Sequence, residues 1–230
     1  MLALDHLEHE TGLYSDEDLA ALERLDAAIG NLRATAERVF GGRVIFAVVS
    51  DHGFVNVEKQ VNFGPAFVKE GLITLDAKEK VTDWKAFPWV TGGSAAIVLK
   101  DPKDTAVSDQ VRNLLNQLAT IRAYGIDRVL EGDDLHARGG YPTASFFVGL
   151  KPGWKNGTVL TGPVVQSVKL SGTHGALSDL PELRSSFFVV GGFVPKNKDL
   201  GVIDMRDIAP TLAGLVGLKM PSADGKNLLQ

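Results

Sequence analysis

The chain has 230 residues, 44% hydrophobic and 23% charged, with a formal net charge of -4, which suits one large globular domain or one domain with a small appendage. An acidic balance without a Lys/Arg cluster excludes the basic footprint of a protein that grips a nucleic-acid duplex or an anionic membrane. Cysteine is absent, so thiolate chemistry, disulfides and Cys-ligated zinc are excluded, and any metal must be held by carboxylate and imidazole. No apolar run approaches the ~18 residues of a membrane span, and the acidic flank of MLALDHLEHE does not fit a signal peptide. A soluble protein is expected. Cytoplasmic and exported locations both stay open.

In chain order, Leu2 to Leu4 reads as the end of a buried strand. Ser15 is an N-cap with Asp18 three residues on, a capping-box spacing. It opens a helix from Asp16 to about Phe40 with Leu19, Leu22, Leu25, Ile29, Leu32, Ala36 and Val39 on one face. Gly41-Gly42 ends it. RVIFAVVS, from Arg43 to Ser50, is continuously apolar and β-branched, as a central parallel strand buried on both faces should be. It runs directly into Asp51-His52-Gly53.

From Phe54 to about Gly149 the texture changes. A short helix is expected over Phe63 to Glu70, with Gly71 as its stop. Strands are expected at Lys80 to Phe87, Ser94 to Leu99, Asp127 to Glu131 and Thr143 to Gly149, with a helix from Thr105 to Leu118. This pattern suggests a small α+β layer attached to a main sheet. A stretch rich in Gly, Pro and Lys, from Lys151 to Gly162, returns the chain to the main domain. Phe187 to Val190 reads as another buried strand. A last helix is expected from Met205 to Val216, with Pro210 in its first turn and Gly217 as its C-cap.

Four of the five histidines lie in three short polar segments: Asp5-His6-Leu7-Glu8-His9, Asp51-His52-Gly53 and Thr173-His174-Gly175. The second follows the most convincing strand, where open α/β sheets place their ligands. Each segment alone is weak: an Asp-His-Gly is usually a turn, and Asp5 and His9 four apart make an ordinary helical ion pair. The set of three is specific.

The residues that carry a family resemblance are DHLEHETG (5–12), VIFAVVSDHGF (44–54), LSGTHGALSDLPELRSSFFVVGG (170–192) and IDMRDIAPTLAGLVGLKMPSADGKNLL (203–229). LEGDDLHARGGYP (130–142) and KPGW (151–154) look like the accessory layer of bacterial members. Together they resemble the C-terminal part of a type I phosphodiesterase/nucleotide pyrophosphatase of the alkaline phosphatase superfamily. The resemblance implies an α/β fold: part of an alkaline-phosphatase-like sheet covered by helices, with a small α+β accessory subdomain. It also implies a metal-binding core over 1–54 and 162–230, and an accessory subdomain with its return loop over 55–161.

That family works with two divalent metals, zinc in the usual case, flanking a Thr or Ser nucleophile. By resemblance Asp5, His9 and His174 match the ligands of the metal that activates water. Asp51 and His52 match two ligands of the metal that activates the nucleophile. The further Asp and the nucleophile belong to a segment upstream of the first motif, and Met1 stands only four residues before Asp5. The nucleophile is therefore expected upstream of Met1, the second site is incomplete, and this chain alone is expected to be inactive. Glu8 stands where the family often has Gly, and Phe54 where Met is common. His6 and His136 are expected at the surface, outside the ligand set. Asp179 and Glu182 are candidates for orienting the imidazoles.

The implied parent is a metal-dependent hydrolase of phosphodiester or nucleotide pyrophosphate bonds acting on a small phosphate-ester substrate. This chain is then a fragment of it, one chain of a split hydrolase, a non-enzymatic metal-binding or interaction module, or a scaffold with other phosphoryl chemistry. Its partners would be the missing segment or a second chain, with self-association through an exposed sheet edge as a further expectation. Trp84, Phe87, Trp89 and Tyr141 either stack on a base or pack the subdomain. The resident hydroxyls of Thr11, Ser171 and Thr173 do not stand where the family nucleophile does.

Overall fold

The computed structural model describes residues 2–138 and 141–229. Met1, ahead of which the nucleophile is expected, lies outside the described residues, as do Gly139 and Gly140 of the 130–142 motif. In chain order the described elements are α1 (Leu2–Thr11), α2 (Asp16–Phe40), β1 (Ile45–Val49), β2 (Val55–Val61), α3 (Gly64–Lys69), β3 (Ile73–Leu75), β4 (Val81–Trp84) and β5 (Ala86–Val90). They continue with β6 (Ser94–Leu99), α4 (Thr105–Thr120), β7 (Ile126–Glu131), α5 (Gly132–Ala137), β8 (Phe146–Leu150), β9 (Gly153–Asn156), β10 (Val165–Thr173), β11 (Phe187–Gly191) and α6 (Ile208–Leu215). The architecture is α/β, with mixed sheets flanked by helices and a small accessory β-subdomain. No helix among the described residues is long and apolar enough to cross a membrane.

The chain forms two compact units, one of residues 1–21 and 53–184, the other of residues 22–52 and 185–230. The accessory layer does not separate from the segments carrying Asp5 and His174; all of them belong to the larger unit.

In the larger unit β10, β2 and β9 form one sheet, with β10 antiparallel and β9 parallel to β2. A four-stranded antiparallel sheet has the order β5-β6-β8-β7. Helix α4 lays Val111, Leu114, Leu115 and Leu118 onto the core, where Phe67, Ile97, Phe146 and Val148 are fully buried. The α4 side chains recur at spacings of three and four, the period of one helix face. Asp104 caps α4 by accepting the Val107 N–H at 3.0 Å. The β3–β4 hairpin adds Ile73 and Leu75 to the same core.

Ser15 caps α2 as its spacing predicts: its Oγ accepts the Asp18 N–H at 3.1 Å. The reciprocal bond reaches one residue further back, from the Tyr14 N–H to Asp18 Oδ2 at 2.9 Å. The apolar stripe of α2 is open to solvent at Leu22, Leu32 and Val39.

In the smaller unit β1 pairs with β11 in a two-stranded antiparallel sheet, Ile45 opposite Gly191 and Val49 opposite Phe187. This corrects two expectations. Arg43 to Ser50 is not a central parallel strand, and neither strand is buried on both faces: β1 is half-exposed, and Phe188 and Val190 of β11 are exposed. A single described neighbour cannot cover a continuous apolar strand. The expected final helix is split into a 3-10 turn over Met205–Asp207 and then α6, with Pro210 in its first turn. Its inner end is anchored by Thr211, whose Oγ1 donates to Asp207 O at 2.6 Å and accepts the Leu228 N–H at 3.0 Å.

The third correction is at the start of the chain. Leu2 to Leu4 opens α1 rather than ending a strand, because three apolar residues do not define a period. The helix continues through DHLEHET, which puts Asp5 and His9 one turn apart on the same face.

Candidate metal site

Helix α1 packs against β10 at Gly172. A Cβ there would lie 2.4 Å from the Glu8 carbonyl oxygen and 2.9 Å from a Phe54 ring carbon, so only glycine lets the helix come this close. The approach lets His9 Nδ1 donate to the Gly172 carbonyl at 3.1 Å. A carbonyl can only accept, so the proton sits on Nδ1 and the lone pair of His9 is on Nε2.

Asp5 Oδ1 lies 3.8 Å from His9 Nε2 and 3.6 Å from His174 Nε2. Both separations exceed a good hydrogen bond. They lie close to the ~3.3 Å between neighbouring oxygen and nitrogen ligands on a tetrahedral ion with bonds of about 2.0–2.1 Å. The two imidazole centroids are 5.0 Å apart. All three side chains are partly exposed, so solvent reaches them. An acceptor-only carboxylate beside two imidazoles, one with its tautomer fixed by a backbone carbonyl, is a donor set suited to a borderline divalent metal.

His174 follows the end of β10, whose register sets Thr173 opposite Val55 and Gly172 opposite Asn56. Phe54, 6% exposed, is therefore placed beside the histidines. It makes edge contacts to His9 at 4.9 Å and to His174 at 5.2 Å between centroids. Its part as the apolar wall of the site was not foreseen; its place next to Asp51-His52-Gly53 was the available signal.

Gly53 is set by close packing. Its backbone is held by the Leu183 carbonyl at 2.9 Å, and a Cβ would meet the Glu182 carbonyl oxygen at 2.2 Å. Close approach of the 181–184 turn requires glycine here.

In the smaller unit Asp51 and His52 follow the carboxyl end of β1, where the sequence placed them. Ser50 and Ser186 exchange hydrogen bonds at 3.0 and 2.8 Å, and Ser185 Oγ donates to the Asp51 carbonyl at 3.0 Å. The Asp51 carboxylate is solvent-exposed and accepts the His52 N–H at 3.1 Å.

The other candidates resolve individually. His6 is exposed and faces Glu10 at 3.3 Å, and His136 Nδ1 donates to Gly132 O at 2.6 Å within its own helix. Asp179 does not serve an imidazole: Arg128 holds it at 2.9 Å and Arg138 at 3.5 Å. Burial pushes its carboxyl up, but backbone hydrogen bonding and the two guanidiniums outweigh this and hold it below the usual range. Trp84 and Phe87 meet edge-on and pack against the core, whereas Trp89 and Tyr141 are exposed. Thr11 Oγ1 donates to Leu7 O, Ser171 accepts from Lys155 Nζ at 3.1 Å, and Thr173 is 3% exposed. The nucleophile expected upstream of Met1 falls outside the described residues.

The family model described as type I phosphodiesterase/nucleotide pyrophosphatase matches residues 2–177, most of the chain. The chain belongs to this family. Comparison with curated protein sequences finds no match. Among solved structures, human ectonucleotide pyrophosphatase/phosphodiesterase 5 superimposes with a TM-score of 0.71 at 17% identity, covering 96% of this chain and 54% of that one. The murine counterpart gives 0.68 at 20% identity with the same coverages, and an inactive variant of it is known in complex with AMP. Phosphonoacetate hydrolase from Sinorhizobium meliloti, bound to phosphonoformate, gives 0.50 at 17% identity over 80% of this chain and 43% of that one. At these identities the likeness establishes the fold. This phosphodiesterase-family chain spans about half the length of the relatives it superimposes on.

Proposed function

We propose that this chain supplies metal ligands to a phosphate-ester hydrolase acting on phosphodiester or nucleotide pyrophosphate bonds. The observation that carries the proposal is Asp5 Oδ1 at 3.8 and 3.6 Å from the Nε2 atoms of His9 and His174, with His9 held by the Gly172 carbonyl. His52 precedes Gly53, the residue pinned to the 181–184 turn. In this reading Asp5, His9 and His174 hold one ion, and Asp51 and His52 belong to the second, incomplete site. A zinc ion suits such a set, and a second divalent ion is the finer part of the proposal.

When bound, the metal would polarise phosphoryl oxygen and lower the pKa of an attacking hydroxyl or water. The residues themselves bind, orient and exclude. Gly172 fixes the His9 tautomer, and Phe54 closes one side of the site to water. Thr11, Ser171 and Thr173 are engaged or buried as described, so we assign the attacking hydroxyl to residues outside this chain. The small-substrate class follows from the family, whose murine relative was captured with AMP.

The test is a zinc titration by calorimetry on the full chain, with a nitrophenyl phosphodiester assay on the same sample. Close to one tight zinc per chain is expected, lost in His174→Ala, with turnover near background. Absence of zinc binding by the folded chain would refute the metal reading. Efficient turnover that disappears on replacing one resident Thr or Ser would refute the external nucleophile.

A further inference from the structure

The Thr173-His174-Gly175 turn lies flush against the β5–β6 hairpin of the accessory layer. The His174 carbonyl accepts the Gly93 N–H at 2.8 Å. A Cβ on Gly92, at φ +87°, would stand 2.4 Å from that same carbonyl oxygen, and one on Gly175, at φ +72°, would stand 2.0 Å from Thr91 O. Ser94, fully buried, donates its hydroxyl to the Gly175 carbonyl. Thr91 Oγ1 lies 2.7 Å from Ser94 Oγ and 2.9 Å from Ser94 O. Because the single Ser94 proton goes to Gly175, Ser94 Oγ accepts from Thr91, whose one proton is shared between Ser94 Oγ and Ser94 O. The hairpin is braced from behind by Asn156, whose backbone N–H donates to Gly92 O at 2.8 Å.

We propose that Thr91 and Ser94 are positioning residues for His174, so that the accessory layer sets the angle at which this imidazole meets the metal. The proposal rests on His174 being a ligand. It assigns the layer a part in building the metal site, in addition to any contact with substrate. The shared compact unit is what such a device requires: residues 1–21, the hairpin and the 173–176 turn belong to one body. Loss of the hydroxyl pair would free the Gly175 carbonyl and let the His174 backbone rotate. Partners that orient a metal-bound histidine are typically worth about ten- to a hundredfold in metal affinity.

The experiment uses four variants of the full chain: Thr91→Val, Thr91→Ser, Ser94→Ala and His174→Ala. Zinc affinity is read by calorimetry, and the His174 imidazole by nitrogen-detected NMR on the metal-free chain. Thr91→Val and Ser94→Ala should weaken zinc binding by about ten- to a hundredfold and shift the His174 resonances. Thr91→Ser, which keeps the hydroxyl, should match the parent in both. Parent zinc binding that His174→Ala removes but Thr91→Val and Ser94→Ala leave intact would overturn the positioning role while the metal reading stands. If the parent binds no zinc, the metal reading falls. The metal-free spectrum then tests the hydroxyl pair alone: His174 resonances unmoved by Thr91→Val would overturn the proposal too. Should Ser94→Ala fail to fold, the isosteric Thr91 pair carries the test.

Discussion

Replacing Gly172 with alanine tests whether close packing of α1 on β10 builds the site. The new methyl would stand 2.4 Å from the Glu8 carbonyl oxygen and 3.0 Å from the Glu8 carbonyl carbon. Both are backbone atoms, so no side chain can rotate to relieve the contact. For the oxygen to reach ordinary contact, beginning at 3.4 Å, the helix must retreat by about 1 Å. That displacement acts on the His9 bond to the Gly172 carbonyl, now 3.1 Å, and on the 3.6 Å gap between Asp5 and His174. Overpacking of this kind costs about 1–3 kcal/mol. For a chain of this length that lowers the melting temperature by roughly 2–12 °C. Zinc affinity should fall at least about tenfold, since the ligands lie on the two elements being forced apart. The assays are thermal unfolding followed by circular dichroism and zinc calorimetry on the same preparation. A variant with unchanged melting temperature and unchanged zinc affinity would refute the argument that the helix–strand approach sets the ligand spacing.

Leu115, fully buried on α4 in the main apolar cluster, should cost about 2–5 kcal/mol on replacement with alanine; denaturant unfolding checks this, and a loss below ~1 kcal/mol would mean the cluster can collapse around the cavity. Asp204 accepts hydrogen bonds from the Arg206 guanidinium and backbone N–H, which lower its carboxyl from 3.8 to about 2. Its folded value is depressed, so its contribution is complete above pH 3.8 and lost as pH falls through about 2. A carboxyl-detected NMR titration should find that midpoint, and Arg206→Ala should return it toward the ordinary range; an ordinary midpoint in the parent chain would contradict the pairing.

What the sequence determined by itself was local or motif-based. The Ser15 cap, the α4 stripe, the β6 and β8 runs and the stop at Gly71 follow from capping chemistry and side-chain period within a few residues. The three polar segments stood out because carboxylate and imidazole are the metal-binding groups in a chain without cysteine, and the family resemblance picked Asp5, His9, Asp51, His52 and His174 from them. Strand pairing was not legible there. RVIFAVVS reads as a central strand from its apolar run, but direction and neighbour depend on which distant segment comes beside it, and Phe187–Gly191 pairs with it antiparallel. VNVEKQV and VQSVKLSGT have too little apolar content to announce β2 and β10, yet their pairing places Thr173 opposite Val55 and brings Phe54 beside the histidines. The His9 tautomer, the wedge of Phe54 and the hydroxyls of Thr91 and Ser94 behind His174 are contacts between residues far apart in the chain. Only the tertiary structure decided them, because hydrogen-bond distance and steric approach depend on spatial neighbours that a local period does not encode.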